Sequence, residues 1–511
     1  MSYAIAVRAL CEFTAREGDL DLRFTPAPSA LEGIAGHSLA RSRRGTDYET
    51  EVALAGRYED LLVRGRADGF DPATGQLEEI KTYRGRFDGV RPHHRALHWA
   101  QARIYGHLLC QARGLERLRV ALVYFDIGTQ QETVLVEAHE AAALQAFFED
   151  QCARFLAWAR SEAAHREARD AALTTLQFPM ERFRPGQRDL AVAVYRCARS
   201  ETGGRCLMAQ APTGIGKTLG TIFPMLKACP GQGLDKLFYL TAKGTGRGLA
   251  LQALATVNRQ LAEQARPDAL RVLDMQARDK TCEHPAKACH GESCPLARGF
   301  FDRLPAARAA VLEQPQPWDA PSVRAAALAH HVCPYYLSQE MLRWSDVVVA
   351  DYNYYYDGAA ILHALTQAQQ WKAGVLVDEA HNLLERARRM YTAELSPTAL
   401  ADARKAATGP IRKALDRLHR HWNALSKTQA HDYQAYEQLP AALLDAVQRA
   451  VASVADAHAD TPMLPGDPVL TFHWDALRFI ALADQFGSHS LFDVSLVPKR
   501  PGHARTPASV L

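Results

Sequence analysis

No run of the 511 residues approaches the ~18 consecutive apolar positions that a membrane-crossing helix requires. A charge excess is missing as well. Sixty Lys and Arg face 57 Asp and Glu, a net of +3, so any surface that attracts a polyanion must be local. The opening residues Met1–Arg8, followed by Glu12, Glu17 and Asp19, lack the basic, apolar and small-residue order of a secretion signal. Low-complexity tracts and fixed-period repeats are absent, and no Cys-x-x-Cys pair occurs. With 48% hydrophobic and 23% charged residues, the composition excludes disorder, collagen and coiled coil for the chain as a whole. These absences describe a cytoplasmic chain without a membrane partner, long enough for about three domains.

What is present falls into three textures. Residues 1 to about 170 mix strand and helix patterns and end in an Ala- and Glu-rich stretch, 137–172, that reads as helix, with Leu176–Pro179 as a linker. From 178 to 385, short apolar runs alternate with helices: 205–209, Lys236–Leu240, Asp346–Ala350 and Gly374–Val377 fit buried parallel strands. Beyond 386 the chain turns Ala-, Leu-, Arg- and His-rich, and Leu415, Leu418, Trp422 and Leu425 form one stripe of an amphipathic helix.

After the run 205–209 comes Ala211-Pro212-Thr213-Gly214-Ile215-Gly216-Lys217-Thr218. Gly214 and Gly216 allow the backbone to curl so that successive N–H groups face phosphate oxygens, and the following helix adds its positive end. Lys217 would reach the β- and γ-phosphates of ATP and the Thr218 hydroxyl would ligate Mg²⁺. Ala211 stands where the strict pattern has glycine. The matching carboxylates are Asp378 and Glu379, in Asp378-Glu379-Ala380-His381 at the end of the run 374–377. Asp378 would hold Mg²⁺ and Glu379 would polarise the attacking water. Upstream, Gln187 is a candidate for an adenine edge.

Of ten cysteines, Cys282, Cys289, Cys294 and Cys333 share a 52-residue window, with gaps of six, four and thirty-eight residues. The spread suits a [4Fe–4S] cluster better than the close cysteine pairs of zinc modules, although His284, His290, His330 and His331 keep zinc open.

Together, the Ala-Pro-Thr-Gly-x-Gly-Lys-Thr loop, the Asp-Glu-Ala-His box and the cysteines between them resemble the iron–sulfur superfamily 2 DNA helicases of the DinG/XPD type, over residues ~178–500. The resemblance implies ATP-driven 5′→3′ movement on single-stranded DNA in repair or replication restart, and a cluster that pins a small domain beside the DNA path. It also implies that Tyr239–Lys243, with Arg247, and Ala350–Tyr354 lie near that path, making Lys243, Arg247, Tyr352 and Asn353 candidate DNA contacts. Gly244–Gly248 reads as a loop.

Nearer the start, Asp68 closes a strand-like run and Glu79-Ile80-Lys81 lies beyond a turn, so Asp68 and Glu79 would sit on neighbouring strands, with Lys81 on the face of Glu79. Two carboxylates and a lysine can bind Mg²⁺ or Mn²⁺ and activate water against a phosphodiester. Alone this pattern is weak. With Gly33-x-x-x-His37 and Gln101-x-x-x-Tyr105 it resembles the RecB-type branch of the PD-(D/E)XK nucleases over ~30–125, which implies His37 as a further metal ligand and Gln101 and Tyr105 as groups that position DNA or the metal shell.

The expected fold class is α/β: a PD-(D/E)XK nuclease-like mixed sheet (1–172) and a RecA-like P-loop lobe with a parallel sheet (178–511), interrupted by an iron–sulfur insertion (276–336) and a helical, arch-like insertion (386–475). No Ser-Ala-Thr or Gln-x-x-Gly-Arg motif of a second motor lobe follows, so the chain is expected to bind ATP and DNA without unwinding, unless another polypeptide supplies that lobe. The expected function is an ATP-dependent DNA helicase, nucleoid-associated, fused to a metal-dependent nuclease and acting on single-stranded or branched DNA. The alternative is a nuclease with a non-motor ATP- and DNA-binding module.

Overall fold

Leu54 on one strand and Leu61, Val63 and Ala67 on the next bury one side of a hairpin, around which the first sheet is built. The structure, a computed structural model, describes residues 3–23, 28, 30–199, 206–242, 244–263, 270–458, 466–496 and 509–510. By contacts the chain divides into two units, one of Met1–Leu156, Ala288–His290 and Thr392–Leu511, the other of Ala157–Lys287 and Gly291–Tyr391.

In the first unit, β1 (Tyr3–Ala6), β2 (Glu49–Tyr58), β3 (Leu61–Asp71), β4 (Gln76–Tyr83), β5 (Arg117–Asp126) and β6 (Glu132–Glu140) form a mixed sheet in the order β1-β3-β4-β5-β6, with β2 also on β3. The parallel pairs are β1·β3 and β4·β5. β4 pairs with β5 along its whole length, Gln76↔Arg119 to Tyr83↔Asp126, but with β3 only from Asp71↔Gln76 to Gly69↔Glu78, beyond which the two strands part. At this fork the Ile80 N–H has no β3 partner; it donates to Asp68 Oδ2 at 2.7 Å. A buried amide must find an acceptor somewhere, and here that need draws a carboxylate into the sheet.

α1 (Val7–Thr14) follows β1 directly, α2 (Ala30–Ser42) covers β4 and β5, and α3 (Pro92–Arg113) crosses the sheet. Gly36 permits the close approach of α2, since a Cβ there would meet Thr82 Cγ2 at 2.7 Å. α4 (Ala141–Thr175) begins four residues later than the composition of 137–172 suggests, because 137–140 complete β6. That segment pairs with 117–120 of β5, and ladder hydrogen bonds outweigh helix propensity there.

The later part of this unit holds the helices Pro397–Ala406, Gly409–Thr428, Ala441–Ala457 and Pro468–Ala483. Leu415, Leu418 and Trp422 are buried in their common core, with Leu425 packed against it, as the stripe predicts. Strands Tyr433–Tyr436, Phe492–Ser495 and Ser509–Val510 pair antiparallel in a region read as helix and tail.

The second unit contains α5 (Gln187–Ala198), α6 (Lys217–Gln232), α7 (Gly244–Glu263) and a parallel sheet of β7 (Lys236–Thr241), β8 (Val272–Asp274), β9 (Val347–Asp351) and β10 (Ala373–Val377), in the order β10-β7-β9-β8. Three of the four expected strands are here. The fourth is not: Cys206–Gln210 has no strand structure, and Leu207 and Met208 are 41% and 90% exposed. An apolar run becomes a strand only where a ladder partner is available, and among the described residues β10 pairs with β7 alone.

Asp346, just before β9, is the electrostatic anchor of this unit. It accepts from Arg169 at 3.1 Å and from the Arg271 N–H at 2.8 Å, and contacts His165 at 2.8 Å. Burial opposes its charge, but the His165 hydrogen bond and the charges of His165 and Arg169 outweigh it and hold the carboxyl at about 2. A carboxyl whose folded pKa lies below its ordinary 3.8 stabilises the fold above that value, and the contribution is lost as pH falls toward 2. Urea titrations between pH 5 and pH 2 should show the parent losing about 2 kcal/mol more than Asp346→Asn. At neutral pH the variant should be less stable by roughly 3–5 kcal/mol, the cost of breaking a buried pair.

Candidate active sites

The phosphate-loop glycines adopt left-handed backbone, with φ of +86° at Gly214 and +83° at Gly216, and α6 starts at Lys217. Arg184 donates to the Gly214 carbonyl at 2.7 Å. Gln187 is buried and spends its amide on the loop itself: Nε2 donates to the Gly216 carbonyl at 2.9 Å and Oε1 accepts from the Arg184 N–H at 3.0 Å. A Cβ on Gly216 would lie 2.3 Å from Gln187 Nε2, so that glycine is required twice over, by φ and by space. Gln187, expected to read an adenine edge, therefore braces the loop.

Lys217 Nζ lies 3.3 Å from Glu379 Oε1 and donates to the Ala211 carbonyl at 3.5 Å. The Asp378 N–H donates to Leu240 at 2.9 Å, extending the β7·β10 register into the box. Glu379 takes φ +50°, an uncommon conformation for a carboxylate residue that turns the chain sharply into the helix His381–Met390. The buried Tyr239 hydrogen-bonds both Thr218 and Asp378. Burial and the Glu379 charge push the Asp378 carboxyl up, against Tyr239 and Lys217. The adjacent pairs Lys217–Thr218 and Asp378–Glu379, far from each other in sequence, thus share one cluster. Mg²⁺ is commonly held by one or two carboxylates, a hydroxyl and ligand phosphates rather than an all-protein cage, and this donor set fits that chemistry.

Nothing in the sequence marks Tyr239 as part of the nucleotide site beyond its place near the end of a buried strand beside the box. Tyr352 was expected along a DNA track; instead it is fully buried, and its hydroxyl donates to the carbonyls of Asp378 and, at 3.1 Å, Glu379. Asn353 is exposed, and its Oδ1 accepts from Arg386 at 3.4 Å. Arg247 pairs with Asp274 at 3.4 Å, and Lys243 lies outside the described residues. Gly244–Gly248, read as a loop, forms the first turn of α7, where a Cβ on Gly246 would meet Asp378 Oδ2 at 2.8 Å.

Cys282, Cys289, Cys294 and Cys333 are partly buried and form no disulfide. Among the described residues, no group of three or more His, Cys, Asp or Glu side chains is arranged to hold a metal ion.

At the β3–β4 fork, His37 Nδ1 on α2 approaches Asp68 Oδ1 to 3.3 Å and Arg41 reaches the same oxygen at 3.2 Å. Glu79 Oε1 pairs with Lys81 Nζ at 2.7 Å, and Lys81 donates to Gln101 Oε1 on α3 at 3.1 Å. Tyr105 packs on Gly65, where a Cβ would lie 2.7 Å from its hydroxyl. All six expected residues therefore meet at one place, the donors in pairs rather than as a three-donor cage. Burial raises Glu79, only partly offset by Lys81. Burial also raises Asp68, but there the His37 hydrogen bond and charge, the Ile80 N–H and Lys81 prevail and lower it. Adjacent Glu78 is tied to Arg44 at 2.8 Å and Tyr48 at 3.0 Å, a structural role.

Comparison with known proteins places one segment of the chain. Residues 264–400 match the DEAD_2 family. The DEAD_2 segment carries the four cysteines, Tyr352 and the Asp378–His381 box, and covers well under half of the chain. A search of curated proteins found no match. Among solved structures, the chain is similar to "XPD_Helicase" (16% identity, 65% of this chain and 54% of that one, TM-score 0.39). It is also similar to "Truncated XPD" (17%, 53% and 76%, 0.33) and to a protein titled "Crystal structure of SSO0001" (23%, 30% and 76%, 0.21). The chain spans about half the length, 54%, of the first of these. Among the described residues, no helix is long and apolar enough to cross a membrane.

Proposed function

We propose that this chain carries the ATP- and DNA-binding first motor lobe of an XPD/DinG-type DNA helicase together with a metal-dependent nuclease centre. The observation that carries the first part is the 3.3 Å approach of Lys217 to Glu379, with Thr218 and Asp378 joined through Tyr239. Lys217 and the loop amides bind the β- and γ-phosphates, Thr218 and Asp378 hold Mg²⁺, and Glu379 orients water toward the γ-phosphate. Bound Mg²⁺ would neutralise charge that develops on the phosphates. The DEAD_2 match supports the same reading. Its test is ATP turnover with and without single-stranded DNA: the strand should raise turnover severalfold, and turnover indifferent to DNA contradicts a DNA motor.

The nuclease reading rests on the fork. Lys81 bonds both Glu79 and Gln101, and in this reading it would orient water or stabilise charge on a phosphodiester, while Asp68 and Glu79 would supply the carboxylates for Mg²⁺ or Mn²⁺. An iron–sulfur cluster on Cys282, Cys289, Cys294 and Cys333 rests on the family resemblance alone. Iron and acid-labile sulfide in anaerobically purified protein would support it, and stoichiometric zinc would replace it.

A further inference from the structure

Two rows of side chains lead away from the β3–β4 fork. On β4, Glu79, Lys81 and Tyr83 share a face, which sets Tyr83 roughly 13 Å beyond Glu79 along the strand. On α3, His94, His98, Gln101 and Tyr105 recur at helical spacing on one side. Gln101 meets Lys81 at 3.1 Å, so the rows face each other there, and His98 Nδ1 meets the hydroxyl of Tyr124, the register partner of Lys81 on β5, at 2.8 Å. They end in an aromatic corner. Ring centroids lie 6.3 Å apart for Tyr83–Phe87, 6.3 Å for Tyr83–Tyr124 and 5.1 Å for Phe87–Tyr124, all edge-on.

Tyr124 is buried and belongs to the core, but Tyr83 and Phe87 are only half-buried, and the short turn Phe87–Gly89 has no buried residue. Burial alone does not explain a phenylalanine kept at the surface here. The Arg95 guanidinium sits 5.6 Å over the Phe87 ring, and among the described residues it pairs with no carboxylate. The neighbouring arginines are already paired, Arg84 with Glu32 and with Asp456 at 3.2 Å and Arg86 with Asp88 at 3.3 Å, which leaves Arg95 as the cation of the corner. Aromatic faces beside cations, continuous with a carboxylate centre, suit a base whose π-face is uncovered and a phosphate alongside it.

We propose that Tyr83, Phe87 and Arg95 form a base-stacking subsite that gives the Asp68–Glu79 centre its preference for an unpaired nucleic-acid strand over duplex. The proposal rests on the nuclease reading for its purpose, but not for its detection.

The full chain would be irradiated, without divalent metal, with an oligothymidylate carrying 5-bromodeoxyuridine, and the crosslinked peptide mapped. Cleavage of the same sequence as single strand and as duplex would be compared in Mg²⁺ or Mn²⁺. The crosslink should fall within residues 83–95. Phe87→Ala should lower the single-strand to duplex ratio of kcat/KM about tenfold, the loss expected for one stacked base, and Phe87→Trp should retain it. A crosslink elsewhere, with the ratio unmoved by Phe87→Ala, overturns the subsite even if Asp68→Asn abolishes cleavage. If Asp68→Asn and Glu79→Gln leave cleavage intact, the nuclease reading fails, while a crosslink at 83–95 still supports the subsite.

Discussion

Replacing Lys217 with alanine is expected to weaken Mg·ATP binding by on the order of 10- to 100-fold. That is the equivalent of about 1.5–3 kcal/mol for hydrogen bonds made to a charged group. The loss should be one of binding and not of folding. Lys217 and Glu379 are both partly solvent-exposed, and Glu379 retains 46% of its side-chain exposure, so their 3.3 Å pair is worth roughly 0–1 kcal/mol to stability. A fluorescent ATP analogue titrated into parent and variant, with urea unfolding in parallel, separates the two effects. An unchanged dissociation constant would remove Lys217 from the nucleotide site.

The second large effect is expected at the β3–β4 fork. Asp68→Asn and Glu79→Gln should each reduce DNA cleavage by roughly 10²–10⁴-fold, the range for a positioned group that activates water, while leaving ATP binding as it was. Both changes preserve shape. The asparagine can still accept from the Ile80 N–H but loses the pairing of Asp68 Oδ1 with Arg41, and the glutamine can still accept from Lys81, so urea unfolding run in parallel separates a structural loss from a catalytic one. Survival of full cleavage in both variants would leave the fork a folding device only.

What the sequence shows and what it hides divide along a physical line. Features set by neighbours in the chain are legible. Period-two alternation puts Glu79 and Lys81 on one face, the glycines at 214 and 216 announce left-handed backbone before a helix, and the stripe through Trp422 faces a core. Features set by partners across the fold are not. The run before Ala211 has strand composition but no ladder, residues 137–140 have helix composition but pair with β5, and Tyr352 looks like a surface aromatic yet is buried behind the box. Gln187 illustrates the limit at a site. Its proximity to the loop can be guessed, but only coordinates show both ends of its amide engaged with Gly216 and Arg184. Tyr239 was hidden for the same reason, since one hydroxyl between Thr218 and Asp378 leaves no trace in spacing.

The central claim is that Thr218 and Asp378 serve one nucleotide-bound metal ion. Pulsed electron paramagnetic resonance with Mn²⁺ in place of Mg²⁺ addresses it directly, because coupling of manganese to the phosphorus nuclei of ATP separates this ion from any manganese at the Asp68–Glu79 centre. The phosphorus coupling should appear with the parent protein and ATP, and should be lost or strongly reduced in Thr218→Ala and in Asp378→Asn. A protein-bound Mn·ATP signal of full strength in both variants would contradict the account.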